Sequence, residues 1–594
     1  MEIIGKNPYF GSQFQPMKKF WNILLVTSIL VFALSSIYMI REPLWSWVPL
    51  FNYLSIFFIF IRIFKNRLAS DSPKTRWLKL SLLSGAIFAI GFPPSPIFPG
   101  MMIGFIPMMI LENEISQTFH RQKPGLLFGY LFFGFWFWNI LSTFWVANTA
   151  YAAGMLANSV NAALMTLPWL AFHMLTFNKN YRGKYILLAG LWIMFEFLHT
   201  NWDISWPWLT LGNGMATCYP LIQWYEYTGY FGGSAWIWTI NILVGLAWMD
   251  RAKKGTYLTT AGIVLTIPVL ASLVLYYGYE EKGLPVDVVV VQPNFEPHYQ
   301  KFNIPEEVQV DKIFNMTAAA IDSSVDLIVM PETVLDPVNM DDYYGQNPGL
   351  ARFHDLLKLA PKSKILLGVG GYHIFSEDPG RSTIRHSDGL TYEMYNAAIM
   401  LESDSVVEEY HKSRFVPAAE IFPFKKVLPF LKPLVKKLGG TYEGFAAQPF
   451  PTNLKYRDSL EVAPIICYES IYGGWVRQYV ERGAGLLAVI TNDGWWDNTP
   501  GHLQHLAIGR LRAIENRKDI ARAANTGTSC FINQRGDIRM ATQYETDAVI
   551  RDKVNYSQEE TFYSRHGDYI ILLTAILSVI MLIFNYLPKK SSVK

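Results

Sequence analysis

The chain contains few charged residues for its length. Asp, Glu, Lys and Arg make up 17% of its 594 residues, whereas hydrophobic residues make up 51% and aromatic residues 15%. Soluble domains carry about 25% charged residues, so this composition excludes an ordinary soluble enzyme and indicates a membrane protein. The chain is too long for a single hydrophobic core, and two or more domains are therefore expected.

Cysteine is also scarce, with three residues at positions 218, 467 and 530. So few cysteines exclude a disulfide framework, and no spacing resembles a paired metal-ligand pattern. Each cysteine therefore has to be interpreted alone. Cys467, in the stretch APIICYESIYGG, is either core packing or a nucleophile, and taken by itself packing is the more common role.

Ten apolar segments are candidate membrane helices. They are 20–40, 45–61, 80–92, 99–111, 126–147, 160–177, 185–199, 224–249, 258–277 and 569–587. The first segment follows Lys18 and Lys19, is about twenty residues long and lacks a small-x-small cleavage site, so it is predicted to be a retained helix rather than a signal peptide.

Basic residues follow the positive-inside pattern expected if all ten segments span the membrane. They lie before the first segment and after every second one, while the intervening short loops are nearly free of lysine. Both termini are then predicted to be cytoplasmic. The predicted organisation is a membrane domain of about nine helices at 1–278, an outward-facing domain at 279–566, and a C-terminal transmembrane helix with a short cytoplasmic tail at 567–594.

The segment 279–566 has a different pattern. Short apolar runs such as PVDVVVVQPN, SKILLGVGGYH and GLLAVITND are separated by helical or turn-rich stretches. Such runs are typical of central strands in an α/β domain.

Three residues of complementary chemistry follow predicted strands: Glu332 in VMPETVL, Lys412 in EEYHKSRFVPAAE and Cys467 in VAPIICYES. Functional groups of α/β sheets collect at the carboxyl ends of strands, so the three can converge. A carboxylate can take the proton of a thiol, and a lysine can donate to the oxyanion of a tetrahedral intermediate. The set predicts acyl transfer. The alternatives are a helix-start carboxylate, a solvated strand-end charge and a core cysteine.

Five motifs occur in order, MPET, YHKSRFVPAAE, IICYES, ITNDGWW and HLQHLAIGRLRAIENRKDIARAANTGTS, and EFLHTNWDISWPWLTLGNG lies in the membrane part. Together they resemble the apolipoprotein N-acyltransferase family, integral membrane enzymes whose extracytoplasmic domain is similar to nitrilases. The resemblance covers nearly the whole chain. It implies a polytopic α-helical membrane domain joined to an extracytoplasmic α/β nitrilase-like domain, an αββα sandwich.

The resemblance also implies roles for individual residues. Glu332 is implied to be the general base, Lys412 the oxyanion-stabilising lysine, and Cys467 the nucleophile that becomes a thioester. Three further residues match positions that support activity in the family: Glu420, Tyr468 and Glu469.

The reaction implied by the resemblance is a ping-pong transfer without a metal or diffusible cofactor. A phospholipid, commonly phosphatidylethanolamine, donates the acyl chain, and the amino group of an apolipoprotein's N-terminal diacylglyceryl-cysteine accepts it. The implied location is the bacterial cytoplasmic (inner) membrane, with the catalytic domain on the periplasmic side. The enzyme is expected to be a monomer that binds no nucleic acid.

Two departures from the family pattern stand out. The family usually has VPFGE where this chain has VPAAE, which places Ala418 and Ala419 at a changed position. The family also often has a tryptophan after the Gln-Pro-Asn strand end, and the nearest candidate here is Phe302. We leave Phe302 out of the predicted site.

The stretch IFPFKKVLPFLKPLVKKLGG alternates lysines with Phe and Leu. It predicts an interfacial arm, apolar side in lipid and lysines near phosphates, or alternatively a surface helix packed on its own domain. His502 and His505, in GHLQHL, are predicted to pack at a helix start rather than bind a metal.

Two other functions remain as alternatives at this point. One is a membrane-tethered nitrilase-like amidase, which shares the chemistry of Cys467. The other is a transporter with an accessory domain, but the segments carry few ionisable residues away from their ends, which argues against an ion-coupled pathway.

Overall fold

The computed structural model describes residues 14–67, 72–177, 179, 183–343, 345, 347–387, 389–402, 406–425, 427–433, 442–457 and 459–586. Helices form the part of the chain that precedes the first strand. They are α1 (Phe14–Arg41), α2 (Val48–Arg67), α3 (Ser72–Gly91), α4 (Pro99–Ile103), α5 (Ile106–Thr118), α6 (Pro124–Thr143), α7 (Val146–Thr149), α8 (Tyr151–Met165), α9 (Leu167–Thr176), α10 (Lys184–Leu198), α11 (Tyr225–Met249) and α12 (Lys254–Gly278).

Several of these helices are suited to a bilayer. Within the described residues, five helical stretches are long and apolar enough to cross a membrane: Lys19–Arg41, Pro124–Thr143, Tyr151–Thr176, Tyr225–Met249 and Arg251–Gly278. Two shorter apolar helices are Val48–Phe64 and Tyr569–Phe584. The predicted number of transmembrane helices stays a prediction.

Two predicted segments are each divided into two helices. The segment 99–111 forms α4 and the start of α5, and 160–177 falls across α8 and α9. The second helix of each pair has a proline, Pro107 or Pro168, in its first turn. Proline lacks the N–H that would continue the preceding helix, and this accounts for both breaks.

Aromatic side chains form the centre of the helical part. The ring of Phe105 stacks on Trp238 at a centroid distance of 4.0 Å and lies 4.8 Å from Trp192 and 5.9 Å from Trp169. All four side chains are buried. Such rings bury a large apolar area, so this cluster holds α9, α10 and α11 to the connection between α4 and α5.

The second part of the chain contains two sheets. Their strands are β1 (Leu284–Gln292), β2 (Leu327–Val329), β3 (Leu335–Asn339), β4 (Lys364–Phe375), β5 (Arg385–Ser387), β6 (Leu390–Leu401), β7 (Val406–His411), β8 (Leu454–Arg457), β9 (Leu460–Ile466), β10 (Ala484–Thr491), β11 (Ile520–Ala524), β12 (Cys530–Ile532), β13 (Ile538–Arg539) and β14 (Ala548–Tyr556). The first sheet has the order β14-β1-β2-β4-β6-β5, with β3 on β4 and β7 on β6, and the second has the order β13-β12-β11-β10-β9-β8. Strands β1, β2 and β4 are parallel, as are β9, β10 and β11.

Helices cover the outer faces of the two sheets. The remaining helices are α13 (Glu306–Ala318), α14 (Pro348–Leu359), α15 (Gly473–Glu481), α16 (Pro500–Asn516), α17 (Phe562–His566) and α18 (Tyr569–Tyr586). Val288 and Val290 join the core that contains the second sheet, whereas Val289 and Val291 pack with side chains of α13 and α14. Helices α15 and α16 lie against the second sheet. This order of layers confirms the predicted αββα sandwich.

The helical part and the sandwich meet at Gln504 on α16. Its side-chain oxygen accepts hydrogen bonds from the indoles of Trp145 at 3.1 Å and Trp208 at 2.7 Å. Its amide donates to the carbonyl oxygens of Pro93 at 2.8 Å and Ser142 at 2.9 Å. A buried amide with all of these partners fixes α16 against the helical part.

Candidate active site

The three catalytic candidates lie at strand ends that face each other from the two sheets. Glu332 follows β2, Lys412 follows β7 and Cys467 follows β9. Their exposed fractions are 6% for Glu332, 1% for Lys412 and 7% for Cys467. The charges of Glu332 and Lys412 both act on the Cys467 thiol. The fold therefore gathers the three residues in one buried site.

Gly368 on β4 determines where Glu332 lies. The backbone of Gly368 exchanges hydrogen bonds with the turn, accepting from Val334 at 2.7 Å and donating to Pro331 at 3.0 Å. A Cβ atom on Gly368 would lie 2.6 Å from the Cα of Glu332. The absence of a side chain at this position allows the turn to pack directly on the strand.

Lys412 bridges two carboxylates. Its Nζ lies 3.1 Å from Glu332 Oε1 and 2.7 Å from Glu420 Oε1. The backbone N–H of Val416 donates to the other oxygen of Glu420 at 2.8 Å. Glu420, predicted as a supporting residue, thus gives the lysine a second carboxylate partner.

Asn396 on β6 joins the same group and is not among the residues predicted from the sequence. Its Nδ2 donates to Glu332 Oε1 at 2.8 Å and to Glu420 Oε1 at 3.2 Å. Its carbonyl accepts the backbone N–H of Lys412 at 2.8 Å. The available signal was a polar residue within the apolar run of YNAAIML, but nothing in the sequence shows which partners it meets.

Burial and charge oppose each other at Lys412 and Cys467. Burial lowers the pKa of Lys412, but the carboxylates of Glu332 and Glu420 outweigh it and hold that pKa well above its usual value. Burial raises the pKa of the Cys467 thiol, Glu332 raises it further, and Lys412 offsets only part of this rise. The site therefore rests with a charged lysine and a neutral thiol, and a base is needed to remove the thiol proton.

Cys467 occupies a strained turn. It has a φ of +49°, in the left-handed region that residues with a side chain adopt uncommonly, and it begins a short 3₁₀ helix, Cys467–Ile471. The hydroxyl of Ser470 donates to the Cys467 carbonyl at 2.8 Å, and His505 Nε2 lies 3.0 Å from the same oxygen. These contacts hold the turn that presents the thiol at the strand end.

His505 is part of a buried charged network rather than simple helix-start packing. Its Nδ1 lies 2.9 Å from Asp493 Oδ1, and Arg522 Nη2 donates to Asp493 Oδ2 at 2.6 Å. Burial raises the pKa of Asp493, but Arg522 and His505 outweigh it and hold that pKa well below its usual range. Asp493 is therefore ionised, and the network supports the turn of Cys467 through His505.

Glu469, the second predicted supporting residue, connects the nucleophile turn to the lysine strand. Its Oε1 accepts from the hydroxyl of Tyr410 at 2.5 Å and the backbone N–H of Ser413 at 2.8 Å. Its Oε2 accepts the backbone N–H of Ile466 at 3.0 Å. Burial raises the pKa of Glu469 to about 7. Because these bonds reach the residues beside Lys412 and Cys467, Glu469 sets their relative position.

Tyr468, the third supporting residue, faces the helical part. Its ring stacks on Trp206 and Trp208 at centroid distances of 6.1 and 6.3 Å, and its hydroxyl donates to the Ser205 carbonyl at 3.2 Å. Burial raises the pKa of Tyr468 well above its usual value, so the hydroxyl stays neutral. Tyr468 therefore closes the site on the side of the helices.

A cavity of about 160 Å³ adjoins Tyr468. It lies between the α7–α8 region, the segment that includes Trp206 and Trp208, and the loop that carries Glu420. The apolar side chains that line it include Val146, Leu156, Val160, Leu164, Trp208, Val416, Pro417 and Trp496. The cavity therefore lies between the helical part and the residues next to the buried site, and its walls are mainly apolar.

The two departures from the family pattern have distinct positions. Ala418 has a φ of +68°, and its N–H donates to the carbonyl of Ile421 at 2.9 Å, so VPAAE forms a tight turn beside the cavity. Phe302 is exposed and lies against Trp495 at a centroid distance of 6.2 Å. Phe302 is therefore not among the buried residues of the site.

The lysine-rich stretch is only partly described, because Lys426, Leu434, Lys436 and Lys437 lie outside the described residues. In the described part, Lys425 Nζ donates to the Glu443 carbonyl at 2.8 Å, and Lys432 pairs with the Glu443 carboxylate at 3.2 Å. Phe430 is 71% exposed. The two lysines thus fold back onto the domain while an aromatic side chain points outward.

Two family models match the chain. The model described as Carbon-nitrogen hydrolase matches residues 288–560, which include the catalytic candidates, and the model described as Apolipoprotein N-acyltransferase N-terminal domain matches residues 84–243. The first match agrees with the nitrilase-like fold predicted for the sandwich. The second falls on the helical part.

Named relatives match along most of the chain. The apolipoprotein N-acyltransferase of Chlorobaculum tepidum is 28% identical over 83% of this chain and 93% of its own length. That of Geobacter metallireducens is 27% identical over 84% of this chain and 93% of its own length. The crystal structure of Saccharomyces cerevisiae Nit3, a member of branch 10 of the nitrilase superfamily, covers 46% of this chain and 90% of its own at 14% identity and a TM-score of 0.33.

Proposed function

We propose, since both parts of this chain are related to the apolipoprotein N-acyltransferases, that the protein is an acyltransferase. It transfers a fatty acyl group from a membrane phospholipid to the N-terminal amine of an apolipoprotein. The observation that carries the proposal is the juxtaposition of two features. A buried thiol lies with a carboxylate–lysine pair, and an apolar cavity beside the neighbouring Tyr468 is also lined by a helix suited to a bilayer.

In the first half-reaction, Glu332 accepts the thiol proton and Cys467 Sγ attacks the ester carbonyl of the phospholipid. Lys412 donates to the oxyanion of the tetrahedral intermediate, an interaction whose loss typically costs 10²–10³ in rate. When the intermediate collapses, the lysophospholipid oxygen leaves with the proton held by Glu332. The product is a thioester on Cys467.

In the second half-reaction, the amine of the diacylglyceryl-cysteine attacks the thioester. Glu332 takes the amine proton and returns it to the departing sulfur, which restores the resting thiol. The apolar wall formed by Tyr468, Trp206 and Trp208 supports this order of events, because it shields the thioester from water until a lipid-anchored amine arrives.

A membrane location has a physical reason. Moving an acyl chain from lipid into water costs about 0.8 kcal/mol for each CH₂, which is on the order of ten kcal/mol for a whole chain. An enzyme that takes the chain from the bilayer into an adjoining apolar cavity avoids this cost. We infer that the sandwich lies on the outer face of the cytoplasmic membrane, in line with the distribution of basic residues.

The test is a search for the acyl-enzyme. Full-length protein is incubated with vesicles of phosphatidylethanolamine of one chain composition and then analysed by peptide mass spectrometry. We expect the acyl mass on the Cys467 peptide and not on the peptides of Cys218 or Cys530, and no adduct in Cys467→Ala. A protein that hydrolyses small amides but forms no such adduct is instead a membrane-tethered amidase.

A further inference from the structure

A cluster of metal-ligating side chains lies on the first sheet, apart from the catalytic candidates. It consists of His373 on β4 and of Glu409 and His411 on β7. One ligand atom from each residue lies within 4.8 Å of the other two. In the part of the chain that the structure describes, it is the one group of three such residues to meet this distance. We propose that these three residues bind a Zn²⁺ ion, with a water molecule as the fourth ligand.

The distances between the ligand atoms suit a tetrahedral ion. Glu409 Oε1 lies 3.2 Å from His373 Nε2 and 3.2 Å from His411 Nε2. Ligands at the usual 2.0–2.2 Å from zinc in a tetrahedron are about 3.3–3.6 Å apart, so two of the three edges are already close to the required length. The remaining pair, the two imidazole nitrogens, lies within 4.8 Å, so a small shift of these side chains on ion binding would bring it to the same length. Two imidazoles and a carboxylate favour zinc over the hard cations Mg²⁺ and Ca²⁺.

Two of the ligands have partners on their outer side. His373 Nδ1 donates to Asp341 at 2.8 Å, so Nε2, which lies 3.2 Å from Glu409 Oε1, is the nitrogen that would bind the ion. The hydroxyl of Tyr343 donates to Glu409 Oε2, which leaves Oε1 for the ion. Carboxylate–histidine contacts of this kind orient the ligands of known zinc sites and raise their basicity.

His411 supplies an independent observation. Its Nε2 is buried and, although it is close to Glu409 Oε1, makes no hydrogen bond to it. The ring is nevertheless held in place, because it packs on Tyr395 at a centroid distance of 4.1 Å, and the same tyrosine contacts His373 at 5.4 Å. A buried imidazole nitrogen that is held beside a carboxylate and has no hydrogen-bond partner is available to a metal ion.

The position of the cluster indicates a structural role. His411 is the last residue of β7, and Lys412 follows it directly. Tyr410 belongs to the core between the sheets, while Tyr395, which packs on His411, belongs to the core on the helix side. The ion would therefore lie on the opposite face of the sheet from the reacting thiol. It would join β4 to β7 across β6 and so brace the strand that carries Lys412.

The test uses metal-free, full-length protein in detergent. Zn²⁺ binding is measured by calorimetry, and Co²⁺ is then used in place of Zn²⁺ to record a visible spectrum. We expect one ion per chain, a tetrahedral Co²⁺ spectrum, and a melting temperature that rises with Zn²⁺. His373→Ala and His411→Ala should each weaken binding about 100-fold, and Tyr343→Phe about 10-fold, as loss of an outer partner does elsewhere.

His386→Ala is the matched control, because His386 lies on β5 of the same sheet and is close to a single carboxylate, Asp378. Its affinity for Zn²⁺ should equal that of the unmodified protein. Melting temperatures without metal verify that each variant is folded. The proposal is overturned if the His373→Ala/His411→Ala double variant is folded and binds Zn²⁺ as tightly as the unmodified protein, or if no metal-dependent rise in melting temperature occurs.

Discussion

Replacing Lys412 with Met tests the charge arrangement of the site. The ammonium group lies 3.1 Å from Glu332 and 2.7 Å from Glu420. At an effective dielectric constant of about 20, each contact supplies about 5–6 kcal/mol of Coulomb attraction, most of which offsets the cost of burying the charges. Removing the lysine leaves two buried carboxylates with Asn396 as a shared donor, which we expect to destabilise the fold by about 3–5 kcal/mol.

The same substitution removes the oxyanion donor, so we expect acylation of Cys467 to slow by about 10²–10³. The assay is single-turnover acylation by a defined phospholipid, followed by mass spectrometry, with thermal unfolding measured in parallel. Lys412→Met/Glu420→Gln separates the two effects, because one carboxylate is neutralised: stability should largely return while the rate stays low.

Lys432→Met is the matched control, since that lysine pairs with Glu443 near the surface. We expect its acylation rate to stay within about twofold of the unmodified protein. The reasoning is refuted if Lys412→Met acylates at a rate close to that of the control, or if the double variant regains its rate together with its stability.

Two further predictions concern the supports of the nucleophile. His505→Ala removes a contact to the Cys467 carbonyl worth about 1 kcal/mol, so acylation should slow about fivefold. His502→Ala, on the same helix and in contact with Tyr544, should leave the rate unchanged, and equal rates in the two variants contradict this role. Burial raises the pKa of Glu469 to about 7 from 4.5, so its stabilising contribution is complete below about pH 4.5 and is lost as pH rises through 7. The melting temperature of the unmodified protein, measured relative to that of Glu469→Gln, should therefore decrease as pH rises from about 4.5 to 7. Melting temperatures that change in parallel with pH in the two proteins contradict the shift.

The strand ends that carry Glu332, Lys412 and Cys467 were predictable from the sequence. Each follows a short buried run, and functional groups of α/β domains collect at the carboxyl ends of strands; here Glu332 and Lys412 follow strands of one sheet and Cys467 follows a strand of the other. The two-sheet architecture followed from the resemblance, and the order of layers confirms it. The roles of these residues remain predictions that the acylation experiments address.

Contacts between distant segments were not predictable. Asn396 meets Glu332 and Glu420 because β6 lies beside both, and no local pattern encodes that meeting. The sequence predicts only helix-start packing for His505, because no partner stands at helical spacing. Its partner in the structure, Asp493, lies 12 residues earlier, before the helix begins. Ligand spacing likewise gave no sign of the cluster on β4 and β7, since His373 lies on a different strand from Glu409. Such sites depend on strand register, which a single sequence specifies only through the whole fold.

The most direct test of the central claim is a chase of the isolated acyl-enzyme. Protein acylated on Cys467 is separated from phospholipid and mixed with a diacylglyceryl-cysteine lipopeptide, with the N-acetylated lipopeptide as the control. The account predicts that the acyl mass leaves Cys467 and appears on the free amine, and that the blocked peptide leaves the thioester in place. Release of free fatty acid at the same rate with either peptide would contradict it, because water rather than the lipoprotein amine would then be the acceptor.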